Sequence, residues 1–334
     1  MKNPSSAAPG RPSTGNGAAS LSRFARKIPF DVSSLGMIGA LIVVMIVGQI
    51  IYPAFLTWTN IGIILTQNAP LGIVAVGMTF VMISGGFDLS VGAIYAFAAT
   101  MFAKIAMDHG LVEAGLCTLL LGIVCGTANG AVVALWRINP FIATLGSASI
   151  FSGLAFVYSN STPQTPDNPN FQILGQAFWG PLPIAVWLLF VTVLLGGFVL
   201  SKTVYGQALY AIGGNETAAR LSGLRVGLIR GSTFALVGLL SAAAGMIEAS
   251  RLAVGQADIG GTIPLDAIAV VIIGGTSLLG GEGSIWRTVV GLLILGAITN
   301  LFYSLAVDSN VQLVAKGAIV IGAVGLDVWS RRRR

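Results

Sequence analysis

The stretch VMISGGFDLSVGAIYAF (81–97) sets one carboxylate, Asp88, inside an apolar run, directly after Gly85, Gly86 and Phe87. On insertion scales a lone carboxylate in hydrocarbon costs about 3 kcal/mol, so the acid needs a purpose. Gly85 and Gly86 let a helix end or break there and free backbone groups that require partners. Two chemistries fit. Asp88 can cap a helix beginning at Leu89 or Ser90, facing the positive end of its dipole. It can also accept hydroxyl hydrogen bonds from a ligand such as a sugar. An echo bears on the choice: VMISGGFDLSVG (81–92) aligns with VVIIGGTSLLGG (270–281), Val, Ile, Gly, Gly, Leu and Gly being identical. Ser277, itself a capping residue, stands opposite Asp88 and favours the cap. Gly85, Gly86, Asp88, Ser90, Gly274, Gly275 and Ser277 are thus the candidates for a helix break or a translocation path.

A second constellation is GNETAARLSG (214–223). Asn215 is a good N-cap, ETAARLS a good helix body and Gly223 a good stop. Glu216 and Arg220 stand at i and i+4, a favourable pair. Ala218, Ala219 and Leu221 offer a small-residue surface for close approach, with Gly214 and Ser222 at the ends. Elsewhere the residues offer little chemistry. His109 is the sole histidine, and Cys117 and Cys125 lie about 12 Å apart on one helix, too far for a disulfide. GGFVLSKT (196–203) misses a phosphate-binding loop because Ser201 replaces its second glycine. Gly122, Gly126 and Gly130 form a helix-packing stripe. No catalytic or metal-binding set is expected.

The elements that must position these residues are apolar. Of 334 residues 55% are hydrophobic and 9% charged, against about 25% charged in soluble domains. The reading is an all-α, polytopic membrane protein with about ten spans: 34–52, 61–83, 90–107, 111–134, 141–159, 182–200, 231–249, 265–283, 286–304 and 310–328. Residues 1–30 read as a disordered segment, 31–330 as the membrane domain and 331–334 as a basic tail. With both termini inside, all 18 Lys and Arg except Lys104, Arg251 and Lys316 fall on the inner side, as the positive-inside rule requires. The net charge of +6 is therefore a topology signal and not a nucleic-acid footprint. Internal duplication with interrupted apolar segments is a transporter signature. The inner loop 201–230 then carries the short helix between two spans, as a docking lever would.

GMTFVMISGGFDLSVGA (77–93), NPFIATLG (139–146), GNETAARLSGL (214–224) and LDAIAVVIIGGTSLLGGEGS (265–284) together resemble the permease subunits of ribose-type, ATP-driven sugar importers, over residues 35–328. Ser152, Pro264 and Glu282 depart from the family's usual residues. The resemblance implies that 214–223 is the coupling helix seated in an ATP-binding-cassette ATPase subunit, which holds ATP and magnesium, while this chain binds no cofactor. It also implies a second copy of the chain, a periplasmic sugar-binding protein as donor, and residence in a bacterial inner membrane. An ion-coupled transporter, a passive polyol channel and a branched-chain amino-acid permease are the rival expectations. The first of these predicts buried paired charges among Asp88, Glu248, Asp266 and Lys316.

Overall fold

A computed structural model describes residues 32–331. The expectations for residues 1–30 and for the end of the basic tail lie outside the described residues. The chain runs α1 (Val32–Ile51), α2 (Trp58–Ile83), α3 (Val91–Asp108), α4 (Leu111–Leu135) and α5 (Pro140–Ser159). A loop follows with α6 (Ile173–Gln176) and the two-residue strands β1 (Phe178–Trp179) and β2 (Leu182–Pro183), paired antiparallel. Then come α7 (Ile184–Lys202), α8 (Val204–Gly214), α9 (Glu216–Leu221), α10 (Val226–Leu252), α11 (Ile263–Ile273), α12 (Ile285–Ser304) and α13 (Ser309–Arg331).

Local signals set the ends. The Thr57 hydroxyl accepts the Asn60 N–H at 3.4 Å to start α2, and Asn139 accepts the Phe141 N–H at 2.9 Å before Pro140 starts α5. Among the described residues 7 helices are long and apolar enough to cross a membrane: α2, α3, α4, α5, α7, α10 and α12.

The span expected at 265–283 is corrected. α11 has 11 residues, about 16 Å of helix, and cannot cross. Gly274, Gly275 and Thr276 donate to the carbonyls of Val270, Ile272 and Val271, which closes the helix, and residues 274–284 continue as a loop. Hydropathy does not separate a buried loop from a helix, so the two read as one span. The loop 201–230 also holds one helix more than expected, α8, capped by the Thr203 hydroxyl.

α10 is the central element, packed on α2, α3 and α4. Its contact with α4 uses the glycine stripe: a methyl group on Gly126 or Gly130 would strike the carbonyls of Phe234 or Gly231. The two backbones therefore touch, as the spacing predicted. Ile73, Val74, Met78, Phe234, Val237, Val270 and Val271 form the main core. α5 is the opposite case. Only 17% of its apolar window is buried, and Phe141, Ile142, Leu145, Ile150, Leu154 and Val157 face outward.

Candidate functional site

The two helix breaks meet. α2 ends at Ser84, with Gly85 in the left-handed region (φ 82), and α11 ends at Gly274, with Gly275 there (φ 73). The Gly281 amide donates to the Ile83 carbonyl at 2.9 Å, and Gly280 lies against Gly85. The end of α8 enters the same place: a methyl group on Gly213 would collide with the Ile83 carbonyl and the Gly281 amide, whereas one on Gly214 would meet nothing within 4 Å. Backbone from three distant parts of the chain is thus in contact, and no side chain could be inserted. Tyr210 adds a bond from its hydroxyl to the Gly283 carbonyl, 2.7 Å.

α9 continues from this junction and has the expected caps. Asn215 Oδ1 accepts the Ala218 N–H at 2.9 Å. Gly223 (φ 86) closes the other end, and the Leu224 N–H reaches back to the Ala219 carbonyl at 3.1 Å. Glu216 pairs with Arg220 at 2.7 Å and also with Arg230 of α10 at 2.9 Å. The Arg220 hydrogen bond, with help from Arg230, holds the Glu216 carboxyl below its ordinary value. Arg230 Nε in turn donates to the Ser84 carbonyl at 3.1 Å. A continuous set of bonds therefore runs from α9 through Arg230 to the last turn of α2.

One expectation about α9 is corrected. Ala219 is not on an approach surface; it is 4% exposed and packs on Ile212 and Val226. The outward side chain is Leu221, 85% exposed, beside exposed Ala218 and Ser222. Alanine suits either side of a helix, so residue type alone could not orient it.

Asp88 is also placed differently from the cap reading. α3 begins at Val91, with Ser90 as its N-cap, and Asp88 stands two residues earlier. Its Oδ1 accepts both the Ser90 N–H (2.8 Å) and the Ser90 hydroxyl (2.6 Å), and Asn129 of α4 donates to the Ser90 oxygen at 2.6 Å. The Leu89 N–H bonds Thr144 of α5 at 3.0 Å. The acid closes the turn on Ser90, and Ser90 and Leu89 in turn tie the start of α3 to α4 and α5. Ser277 repeats the device, accepting the Leu279 N–H at 3.1 Å, but no helix follows until Ile285.

Arg230, Asn129, Thr144, Gly213, Gly280 and Gly281 are parts of this site that motif reading passed over. The sole sequence signal for Arg230 was its place as the last inner basic residue before a span.

Residues 60–324 match the family described as branched-chain amino acid transport system / permease component. The ribose import permease protein RbsC of Bacillus subtilis (strain 168) is 39% identical over 90% of this chain and 95% of its own length. The protein of the same name from Escherichia coli (strain K12) is 39% identical over 86% of this chain and 91% of its own. The L-arabinose transport system permease protein AraH of Escherichia coli (strain K12) is 36% identical over 90% and 92%. No solved structure matches the chain.

Proposed function

The chain belongs to this permease family, and from that premise we propose that it is the membrane-spanning subunit of an ATP-driven importer of a monosaccharide, ribose-like or a related sugar or polyol. The similarity to ribose and arabinose permeases over most of their length supports the sugar class. The observation that carries the mechanism is the bonded run from α9 through Arg230 to Ser84.

In this reading α9 docks in a groove of an ATP-binding-cassette subunit through Leu221 and its exposed neighbours. ATP and magnesium are bound by that subunit, so the permease is not itself an enzyme. ATP binding draws the ATPase halves together. α9 moves with them, and Arg230 passes the displacement to the junction where α2, α8 and the loop after α11 meet. The break residues Gly85, Gly86, Asp88, Ser90, Gly274, Gly275 and Ser277 then let the flanking helices reorient. A second copy of the chain covers part of the apolar flank around α5, lipid covers the rest, and a periplasmic sugar-binding protein delivers the substrate. Both termini lie on the cytoplasmic side of the bacterial inner membrane. An active periplasmic reporter fused after Arg334 would sink that orientation.

The test is reconstitution in proteoliposomes with the ATPase and binding protein, following ATP-dependent uptake of ribose, arabinose and leucine. Sugar uptake supports the reading; uptake of leucine alone replaces the substrate class. Leu221→Asp is expected to reach the membrane normally yet release the ATPase on co-purification. Retention of the ATPase with undiminished uptake would show that α9 is a connector only.

A further inference from the structure

Four charged side chains far from α9 converge. Arg251 binds Glu248 through two bonds, 2.9 and 2.7 Å, one turn apart on α10. Lys316 of α13 reaches Asp266 of α11 at 3.2 Å. All four side chains are 13–27% exposed, and all four line one cavity of about 330 Å³. Arg251 lies 21 residues beyond Arg230 on α10, about 32 Å along the axis. The cavity is therefore at the opposite end of the domain from α9.

Ionisable groups set into the helices of a membrane domain are kept where they pair with one another or line a water-filled cavity, and they mark pathways. Two closed ion pairs needed only for stability would call for no empty volume, since apolar side chains of the same size serve as well or better. Gly296 of α12 seats the Asn68 amide, a cavity-wall group, which a methyl group would approach to 2.8 Å. Pro70, inside α2 and on the cavity wall, lacks the N–H that would have bonded the Thr66 carbonyl.

We propose that this cavity is a transit site for a neutral, polyhydroxylated ring, a monosaccharide, held within each permease chain. The inference rests on the sugar-import reading above. Each ion pair is compensated, so the lining carries no net charge to attract a lone ion. Their remaining lone pairs and N–H groups, with Gln67, Asn68, Thr262 and Thr299, offer both donors and acceptors, as sugar hydroxyls require. Tyr95 and Tyr303 supply aromatic walls for the ring's C–H faces. The volume lies at the small end of ligand sites, about 300–1,000 Å³. Asp266 stands in the first turn of α11, whose other end is the second glycine break, so an occupant touches the element that leads to the junction.

The test is cysteine protection in the assembled importer. Thr299→Cys, near in size to the original, is made in a Cys117→Ala, Cys125→Ala background that retains uptake. Labelling of the introduced thiol by a small thiosulfonate is followed with rising D-ribose, L-arabinose or L-leucine, with the binding protein omitted. Slower labelling with either sugar, halved where the sugar equals its dissociation constant, with no effect of leucine, supports the site. Sugar import by the complex with no protection of the introduced thiol, or equal protection by leucine, overturns it while the import reading stands. Import of leucine instead of sugar, with protection by leucine alone, overturns both.

Discussion

The two glycine breaks start from nearly the same letters and end in opposite situations. At the first, Asp88, Ser90, Asn129 and Thr144 are at most 2% exposed, and the turn is closed against α4 and α5. At the second, Ser277 is equally buried and makes the equivalent bond, but the chain stays in a loop to Ser284 and Leu279 is 78% exposed. Their positive-φ glycines are also shifted by one alignment position, Gly85 against Gly275. The local rule is common: a glycine ends a helix and a short polar side chain accepts the amide two residues on. What differs is the surroundings. The first break leads at once into a helix held on several sides. The second leads to the junction, where its glycines meet α2 and α8. One copy has become an anchor and the other a contact loop.

The largest expected effect breaks the contact loop. Gly213→Val pushes side-chain atoms into two backbone segments that have no rotamer to yield, and overpacking of this kind reaches about 3 kcal/mol. Thermal unfolding in detergent should drop by several degrees, whereas the adjacent Gly214→Ala should leave it unchanged or raise it slightly. Equal effects at both positions would show that the junction is not tightly packed.

Next is the anchor. Asp88→Ala leaves the buried Ser90 N–H unpaired, at about 1–3 kcal/mol, while Ser277→Ala frees the N–H of Leu279, whose side chain is 78% exposed, and should cost about 1 kcal/mol or less. Asp88→Asn keeps an acceptor and should retain most membrane abundance and uptake. Loss of uptake at normal abundance in Asp88→Asn would mean that the charge itself acts.

Arg230→Gln removes the link between α9 and the anchor side of the junction. Hydrogen bonds to charged groups contribute about 1.5–3 kcal/mol, shared here between Glu216 and Ser84. The ATPase should still bind, and its hydrolysis should continue with reduced uptake. Parallel loss of binding and uptake would point to a folding role instead. Asn215→Ala should cost about 1 kcal/mol of α9 stability, visible as faster amide exchange at 216–221.

The smallest effect is one of pH. Glu216 has a depressed folded pKa, set first by its bond to Arg220. Its contribution is therefore present above the unfolded carboxylate value and is lost only as pH falls through the lower, folded one. Exchange protection of α9 should hold from pH 7 down to about pH 5 and weaken only in stronger acid. Weakening already between pH 7 and 6 would contradict the pairing.

What could be read from the sequence was local. Asn215 and Gly223 act within a few residues, so the caps of α9 were legible, as was the glycine stripe of α4. The apolar runs gave the membrane architecture for the same reason. Contacts across the chain were not legible. Arg230 meets Ser84 from 146 residues away, and nothing in either neighbourhood points to the other. The length of α11 was hidden because GGTSLLGG is as apolar as a helix. Glu248, Arg251, Asp266 and Lys316 looked like scattered span-end charges until packing brought them to one cavity.

The contact between α4 and α10 also limits how this chain can change shape. Packed helices slide past one another in shear motions by small side-chain readjustments at the interface. Along the stripe at Gly122, Gly126 and Gly130 carbonyls sit directly against the opposing backbone, so there is no such cushion. Those two helices form a single rigid body, a fixed frame of reference inside the domain. The Tyr95 carbonyl of α3 sits just as directly against Gly245 of α10, so alternation between states must be borne by α2 on one side and by α8, α9 and α11 on the other. Spin labels on α4 and α10 should keep one distance throughout the transport cycle, while labels placed across the junction report every step of it.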